Sequence, residues 1–327
     1  IHIKYREEVG IFCNECESVA FENVHELSNY SHAFIFQCCN GIELKNVSSA
    51  PQEGSGRIAA SQTDCIHCSM CKGLVSVTGS KFEGAFDDVL NVHGFHFKIT
   101  DKGADYITVR FMHPQAYGFK PFDVGDKIVT VNGSTLVCGK EYEIKSVEML
   151  DLYRIKLVLA GDLSGINKGE YIEDITKCAD VVFKDNYCTR IPTRGVLVTT
   201  RGKVLIENNV FDNTQMSGVL ISNDAKSWYE SGPVKDVTIR GNKFIKCKGQ
   251  GVFILPENRI FSDYVHSGIK IEDNEFIYDT PRAIYAKNSR DISVRGNTFV
   301  PLTRSKPIVF DNCADTVEED NTVKCAD

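Results

Sequence analysis

The chain has 327 residues, 42% hydrophobic and 25% charged, enough to bury a large core as one elongated domain or two compact ones. Its net charge of −7, with no two Lys or Arg residues adjacent, argues against a nucleic-acid partner and for a neutral or weakly charged one. No apolar run approaches the ~18 residues of a membrane span.

The opening Ile1-His2-Ile3-Lys4-Tyr5 carries no Met and no apolar leader core, so the chain reads as a mature, trimmed or internal piece. Thirteen cysteines follow, including Cys13-x-x-Cys16, Cys65-x-x-Cys68 and Cys68-x-x-Cys71. Tetrahedral zinc takes such pairs from turns. These lie at or near predicted strands, where a free thiol is a small buried hydrophobe. We therefore expect no metal, and unpaired thiols point to a reducing or anaerobic setting.

One phrase recurs along the chain: a short alternating apolar run, an Asn, then an apolar residue. Early forms are Val19-Ala20-Phe21-Glu22-Asn23-Val24 and Ile42-Glu43-Leu44-Lys45-Asn46-Val47. Later forms run Val181–Tyr187, Leu205–Phe211, Thr238–Phe244, Lys270–Phe276 and Ser293–Phe299. Asn23 and Asn46, Asn186 and Asn209, and Asn274 and Asn297 are each 23 residues apart. Period-2 alternation marks strands, and Asn suits a turn that needs left-handed backbone. Units that bury their inner faces only against neighbours make a solenoid. The expected fold is all-β, a right-handed parallel β-helix.

Between the early and late phrases, about 98–177, the rhythm stops. Tyr106–Phe111, Asp126–Val131, Tyr142–Glu148 and Tyr153–Leu159 alternate at close spacing, with Phe122–Asp126 and Val131–Ser134 as turns. An inserted small antiparallel β-barrel is predicted there. The domains are then 1–97, N-terminal β-helix coils; 98–177, the barrel; and 178–327, C-terminal coils.

Two stretches carry the chemistry. Gln62-Thr63-Asp64 is followed 24 residues later by the Asp87-Asp88 stretch, Phe86-Asp87-Asp88-Val89-Leu90-Asn91-Val92-His93-Gly94. One coil returns the chain to the same face about 4.8 Å away, so Asp64, Asp87 and Asp88 should converge. Crowded carboxylates repel and raise at least one pKa, which suits a glycosidase acid/base site. The bland reading of Asp87-Asp88 is a solvated turn or a calcium pair.

Arg57, Gln62–Asp64, Phe86–Gly94, the barrel-like insertion, Arg194–Thr200, Gln215–Leu220 and the long phrase Ser222–Val234 together resemble glycoside hydrolase family 110. The resemblance covers about 57–300. It implies an inverting, metal- and cofactor-independent exo-α-1,3-galactosidase acting on terminal α-galactose, as on blood-group B or linear Galα1-3Gal glycans. Polygalacturonases, also β-helices, resemble the carboxylate arrangement. By that likeness Asp64 and Asp88 position water and Asp87 protonates the leaving group. The sequence alone leaves Asp87 and Asp88 interchangeable as the acid.

Around the carboxylates, Asn91 and His93 are candidates for contacting substrate hydroxyls, and His93 reads equally as orienting an Asp. Arg57 and Arg194 are candidate hydroxyl donors or carboxylate partners. Trp228, the single tryptophan, lies in a polar segment with Asp224 and Glu230. It reads as a platform stacking on a sugar face. Glu230 and Glu257 are further hydroxyl acceptors, and His113 and Gln115 could reach the substrate from the insertion. The barrel, entering directly after the Asp87-Asp88 coil, should make a pocket and hence an exo-acting enzyme. Alternatives are a polysaccharide lyase, disfavoured by Asp where Lys or Arg is needed, and a non-catalytic carbohydrate-binding β-helix. The expected partner is a glycan, the expected location secreted, periplasmic or cell-surface in a bacterium, and self-association through flat sides is compatible.

Overall fold

The computed structural model describes residues 8–324, so the opening Ile1–Tyr5 and Cys325 lie outside the described residues. Every regular element described is a strand. Three long parallel sheets, each made by every third strand, wind around one interior. The fold is a right-handed parallel β-helix with an inserted barrel. No helix among the described residues is long and apolar enough to cross a membrane.

The recurring phrase builds the helix interior. Phe183, Phe211, Phe244, Phe276 and Phe299 stack coil on coil, with ring centroids 6.2, 5.1, 4.8 and 5.2 Å apart. Each is fully buried or nearly so, contributing about 1.5–3 kcal/mol of transfer free energy. Beside them, Asn186, Asn209, Asn242, Asn274, Asn297 and Asn321 form a ladder. Each Nδ2 donates to the next Oδ1, at 3.1, 2.9, 3.0, 3.0 and 3.0 Å. The left-handed turn residue is the one before the ladder Asn: Asp185, Asn208, Gly241, Asp273 and Gly296 all have positive φ. Asn23 and Asn46 belong to that turn column, with φ of 58° and 50°, and not to the ladder. The expectation that the phrase's Asn always takes the left-handed turn is corrected accordingly. The turn column forms its own exposed contact between coils, Asn46 Nδ2 donating to Asn23 Oδ1 at 2.6 Å.

The thiols also line the interior: Cys39, Cys65, Cys68, Cys71, Cys188 and Cys247 are buried. All twelve described cysteines are free.

The chain leaves the helix after strand Leu90–Phe95 and enters a closed antiparallel barrel. Its strands are ordered Phe97–Lys102, Tyr106–Arg110, Arg154–Leu159, Cys138–Met149, Lys127–Val131 and Tyr171–Asp174. Tyr171–Asp174 closes it by pairing with both Phe97–Lys102 and Lys127–Val131. Phe97, Ile99, Ile107, Phe122, Ile144, Ile155, Leu157 and Ile172 fill it as a second core. The helix resumes at Asp180–Lys184, which pairs in register with Lys72–Thr78. The interrupted sheets therefore close across the insertion, and the barrel stands beside the strand it left.

Candidate active site

Interstrand hydrogen bonds stack His32, Asp64, Asp88 and Arg194 in one column just ahead of a sheet. The amides of Ala33, Cys65 and Val89 donate to the carbonyls of Asp64, Asp88 and Arg194 at 3.1, 2.9 and 3.2 Å. Along the sheet itself, Ile35, His67, Asn91, Leu197 and Leu220 share one outward row. Gln37, Ser69, His93 and Thr199 share the row two residues on. The column and, Thr199 apart, the two rows line a cavity of about 400 Å³.

One oxygen from each of Asp64, Asp87 and Asp88 lies within 4.8 Å of the others. Asp64 and Asp88 are buried, while Asp87 is partly open to the cavity. The Asp88 amide donates to Asp64 Oδ1 at 3.1 Å. Asp88 Oδ1 accepts from Arg194 twice, from Nε at 2.7 Å and from the backbone amide at 3.0 Å. Arg194 Nη2 stands 3.7 Å from Asp87. Burial disfavours the Arg194 charge, but Asp88, Asp87 and Glu230 together outweigh it and the guanidinium pKa is raised. A set of His32, Asp64 and His67 is equally compact. Asp64 Oδ2 is 2.7 Å from His67 Nδ1 and 3.8 Å from His32 Nε2.

A short return strand, Glu230–Ser231, pairs antiparallel with the site strand, Glu230 opposite Phe95 and Ser231 opposite Gly94. Gly94 permits this approach, because a Cβ there would lie 2.7 Å from Ser231 Oγ. The pairing aims Glu230 into the cavity, where Oε1 accepts from Asn91 Nδ2 at 3.1 Å. Asn91 Oδ1 is buried without a partner. His93 Nδ1 donates to the Gly94 carbonyl at 2.8 Å. Burial lowers the His93 pKa against the pull of Glu230, 3.7 Å away.

Trp228 is 53% exposed and lines the same cavity. Its loop is tied down by Asp224. Asp224 Oδ1 accepts from the Lys226 amide, and Oδ2 from Ser227 Oγ and the Trp228 amide, at 2.7, 2.7 and 2.6 Å. His113, from the barrel, stacks on the indole with centroids 5.1 Å apart at 26°. Gln115 and Glu257 complete that wall, Glu257 lying 3.8 Å from Lys226 Nζ.

The cavity thus gathers Asp64, Asp87, Asp88, Asn91, His93, Arg194, Asp224, Trp228, Glu230 and Glu257. Arg57 is not among them, which corrects its expected place. It stands exposed beyond the turn of Gly54 and Gly56, against a separate shallow depression bordered by Phe86. Sequence reasoning missed His32 and His67. The signal existed: His67 precedes Asn91 by the same 24 residues that separate Asp64 from Asp88. It was hidden inside a Cys-x-x-Cys phrase.

Residues 164–299 match the family model of the right-handed beta helix region, and residues 106–172 match that of the GLAA-B beta-barrel domain II. The chain is 35% identical to alpha-1,3-galactosidase A of Bacteroides thetaiotaomicron, over 98% of this chain and 58% of that protein. It is 35% identical to alpha-1,3-galactosidase A of Akkermansia muciniphila, over 90% of this chain and 50% of that protein. Alpha-1,3-galactosidase B of Bacteroides fragilis is 28% identical, over 100% of this chain and 56% of that protein. The chain therefore spans just over half the length of the first of these curated relatives and about half of the others. At 35% identity along nearly its whole length, this β-helix chain is similar to the α-1,3-galactosidases.

Proposed function

We propose that the protein is an exo-acting, inverting α-1,3-galactosidase that releases terminal α-1,3-linked galactose from blood-group B or linear Galα1-3Gal glycans. The observation that carries this reading is the convergence of Asp64, Asp87 and Asp88 at the floor of one walled cavity. Hydrolysis needs an acid at the leaving oxygen and a base at water. In this reading Asp64 and Asp88, adjacent in one column, hold the water. Asp87, more open to the cavity, protonates the leaving sugar. Trp228 offers a face for a sugar ring, and Glu230 and Asn91 offer polar contacts to its hydroxyls. A glycan substrate of this kind fits a secreted, periplasmic or cell-surface bacterial protein.

The three oxygens are closer than the ~6.5–9.5 Å of a two-carboxylate inverting site. Stereochemistry is therefore the deciding measurement. Proton NMR during digestion of Galα1-3Gal is expected to show β-galactose before mutarotation. Early α-galactose would replace this mechanism with a covalent one, and no hydrolysis by the folded protein would remove the substrate assignment.

A further inference from the structure

Three histidines that no part of the proposed acid/base chemistry uses run in file beneath the carboxylates. Ring centroids are 5.2 Å apart from His32 to His67, and 4.9 Å from His67 to His93. Their protons can be counted. His93 is wholly buried and its pKa is lowered, so it is neutral, and its one N–H is engaged at Nδ1 with the Gly94 carbonyl at 2.8 Å. Its Nε2 is then a lone pair. His67 Nε2 lies 3.1 Å away and must be the donor. At the other side of the ring, His67 Nδ1 is 2.7 Å from Asp64 Oδ2. Two acceptors cannot approach so closely, so a second proton lies between them. The Asp88 amide donating to Asp64 Oδ1 favours the ionised carboxylate. His67 is accordingly an imidazolium paired with an Asp64 carboxylate.

We propose that His67 is a positioning residue for hydrolysis, holding the proton that neutralises Asp64 and orienting its carboxylate toward the attacking water. This rests on the glycosidase reading above. It also explains how three carboxylates share one site: at rest His67 answers Asp64, Arg194 answers Asp88, and Asp87 holds the proton it will donate. In turnover the bond from the anomeric carbon to the leaving oxygen breaks, and that oxygen takes its electron pair and the Asp87 proton. Water bonds to the anomeric carbon and gives its proton to Asp64. The summed charge of these five side chains is unchanged, with Asp64 protonated and Asp87 ionised. It resets by passing one proton between carboxylates within 4.8 Å of each other.

Groups facing His67 include His32, Asp64 and His93, with Asp87, Asp88, Arg194 and Glu230 one contact beyond. Loss of the His67 proton at alkaline pH should therefore end activity in the wild type. His67→Gln keeps a side-chain N–H for Asp64 but carries no charge. We expect kcat to fall on the order of 10²-fold, KM to stay within about twofold, and the alkaline limb of the pH profile to move or vanish. An unchanged pH profile in a folded His67→Gln protein overturns the proposal. A second readout needs no substrate. In nitrogen-15 NMR of the full chain at pH 7, both His67 ring nitrogens should carry protons, and Asp64→Asn should remove one. A His67 with one N–H in the wild type overturns the proposal whatever the enzyme hydrolyses. A wild type with the doubly protonated ring but no galactosidase activity overturns the glycosidase reading instead.

Discussion

Trp228 and His113 stack face to face at 5.1 Å across the junction of two folding units, one ring from a β-helix loop and the other from the inserted barrel. The pair forms a wall of the cavity above the carboxylates. The barrel thereby supplies part of the wall of the candidate site.

Trp228→Ala should raise KM about tenfold and leave kcat nearly unchanged, because a stacking platform binds ground state and transition state alike. Its half-exposed ring contributes little to folding, so the melting temperature should hold. A fall of several degrees with unchanged KM would assign the indole to packing.

Asp64→Asn and Asp88→Asn should each lower kcat by at least about 10³-fold with the fold intact. Asp87→Asn should behave differently. Activated aryl α-galactosides, whose leaving groups need no proton, should be hydrolysed within about tenfold of wild type, while Galα1-3Gal is lost. Equal loss on both substrates would exclude Asp87 as the acid.

Arg194 neutralises an Asp88 that is only 1% exposed. Arg194→Met leaves that carboxylate buried with the residue-194 amide as a donor but without a counter-charge. Removing one partner of a buried pair costs about 3–5 kcal/mol. Because Arg194 keeps some contact with water, we expect about 2–3 kcal/mol, read from urea denaturation.

Asn242 sits mid-ladder, donating to the Ile206 carbonyl and to Asn274 Oδ1, and accepting from the amide and side chain of Asn209. Asn242→Ala should destabilise by about 2–3 kcal/mol, since it orphans groups that are buried. The urea midpoint should drop with an unchanged slope, and KM should not move.

Burial, with the Asp126 charge, pushes the Asp174 carboxyl up to about 7 from an ordinary 3.8. Between these values the folded state holds a proton that the unfolded chain has lost, so this contribution falls as pH rises from about 4 to about 7. Asp174→Asn keeps the acceptor that holds the Thr176 and Lys177 amides at 2.7 and 3.0 Å. The variant should match wild type in melting temperature near pH 4 and exceed it at pH 8. An equal deficit at both would show that packing, and not titration, governs the site.

Much of this was legible by counting. The 23-residue return of Asn and Phe specifies coils, because each strand can bury its inner residues only against the strand above and below. The 24-residue step from Asp64 to Asp88 specifies a meeting, because a coil of that length returns to the same column. The loss of the phrase after Lys98, where short alternating runs take over, marks a sheet that must close on itself. Arg57 was misplaced because an exposed turn has no periodicity to set its direction. His67 followed the same 24-residue rule and was overlooked among cysteines. Tertiary structure alone decided the rest: the antiparallel return that aims Glu230 at Asn91, the stacking of His113 on Trp228, and the close approach of His67 Nδ1 to Asp64. These contacts join residues far apart in the chain or atoms a few ångströms apart in space. Repeat length carries the axial position of a residue but not the path of a loop or the rotamer of a ring, and those depend on packing between units that no local pattern encodes.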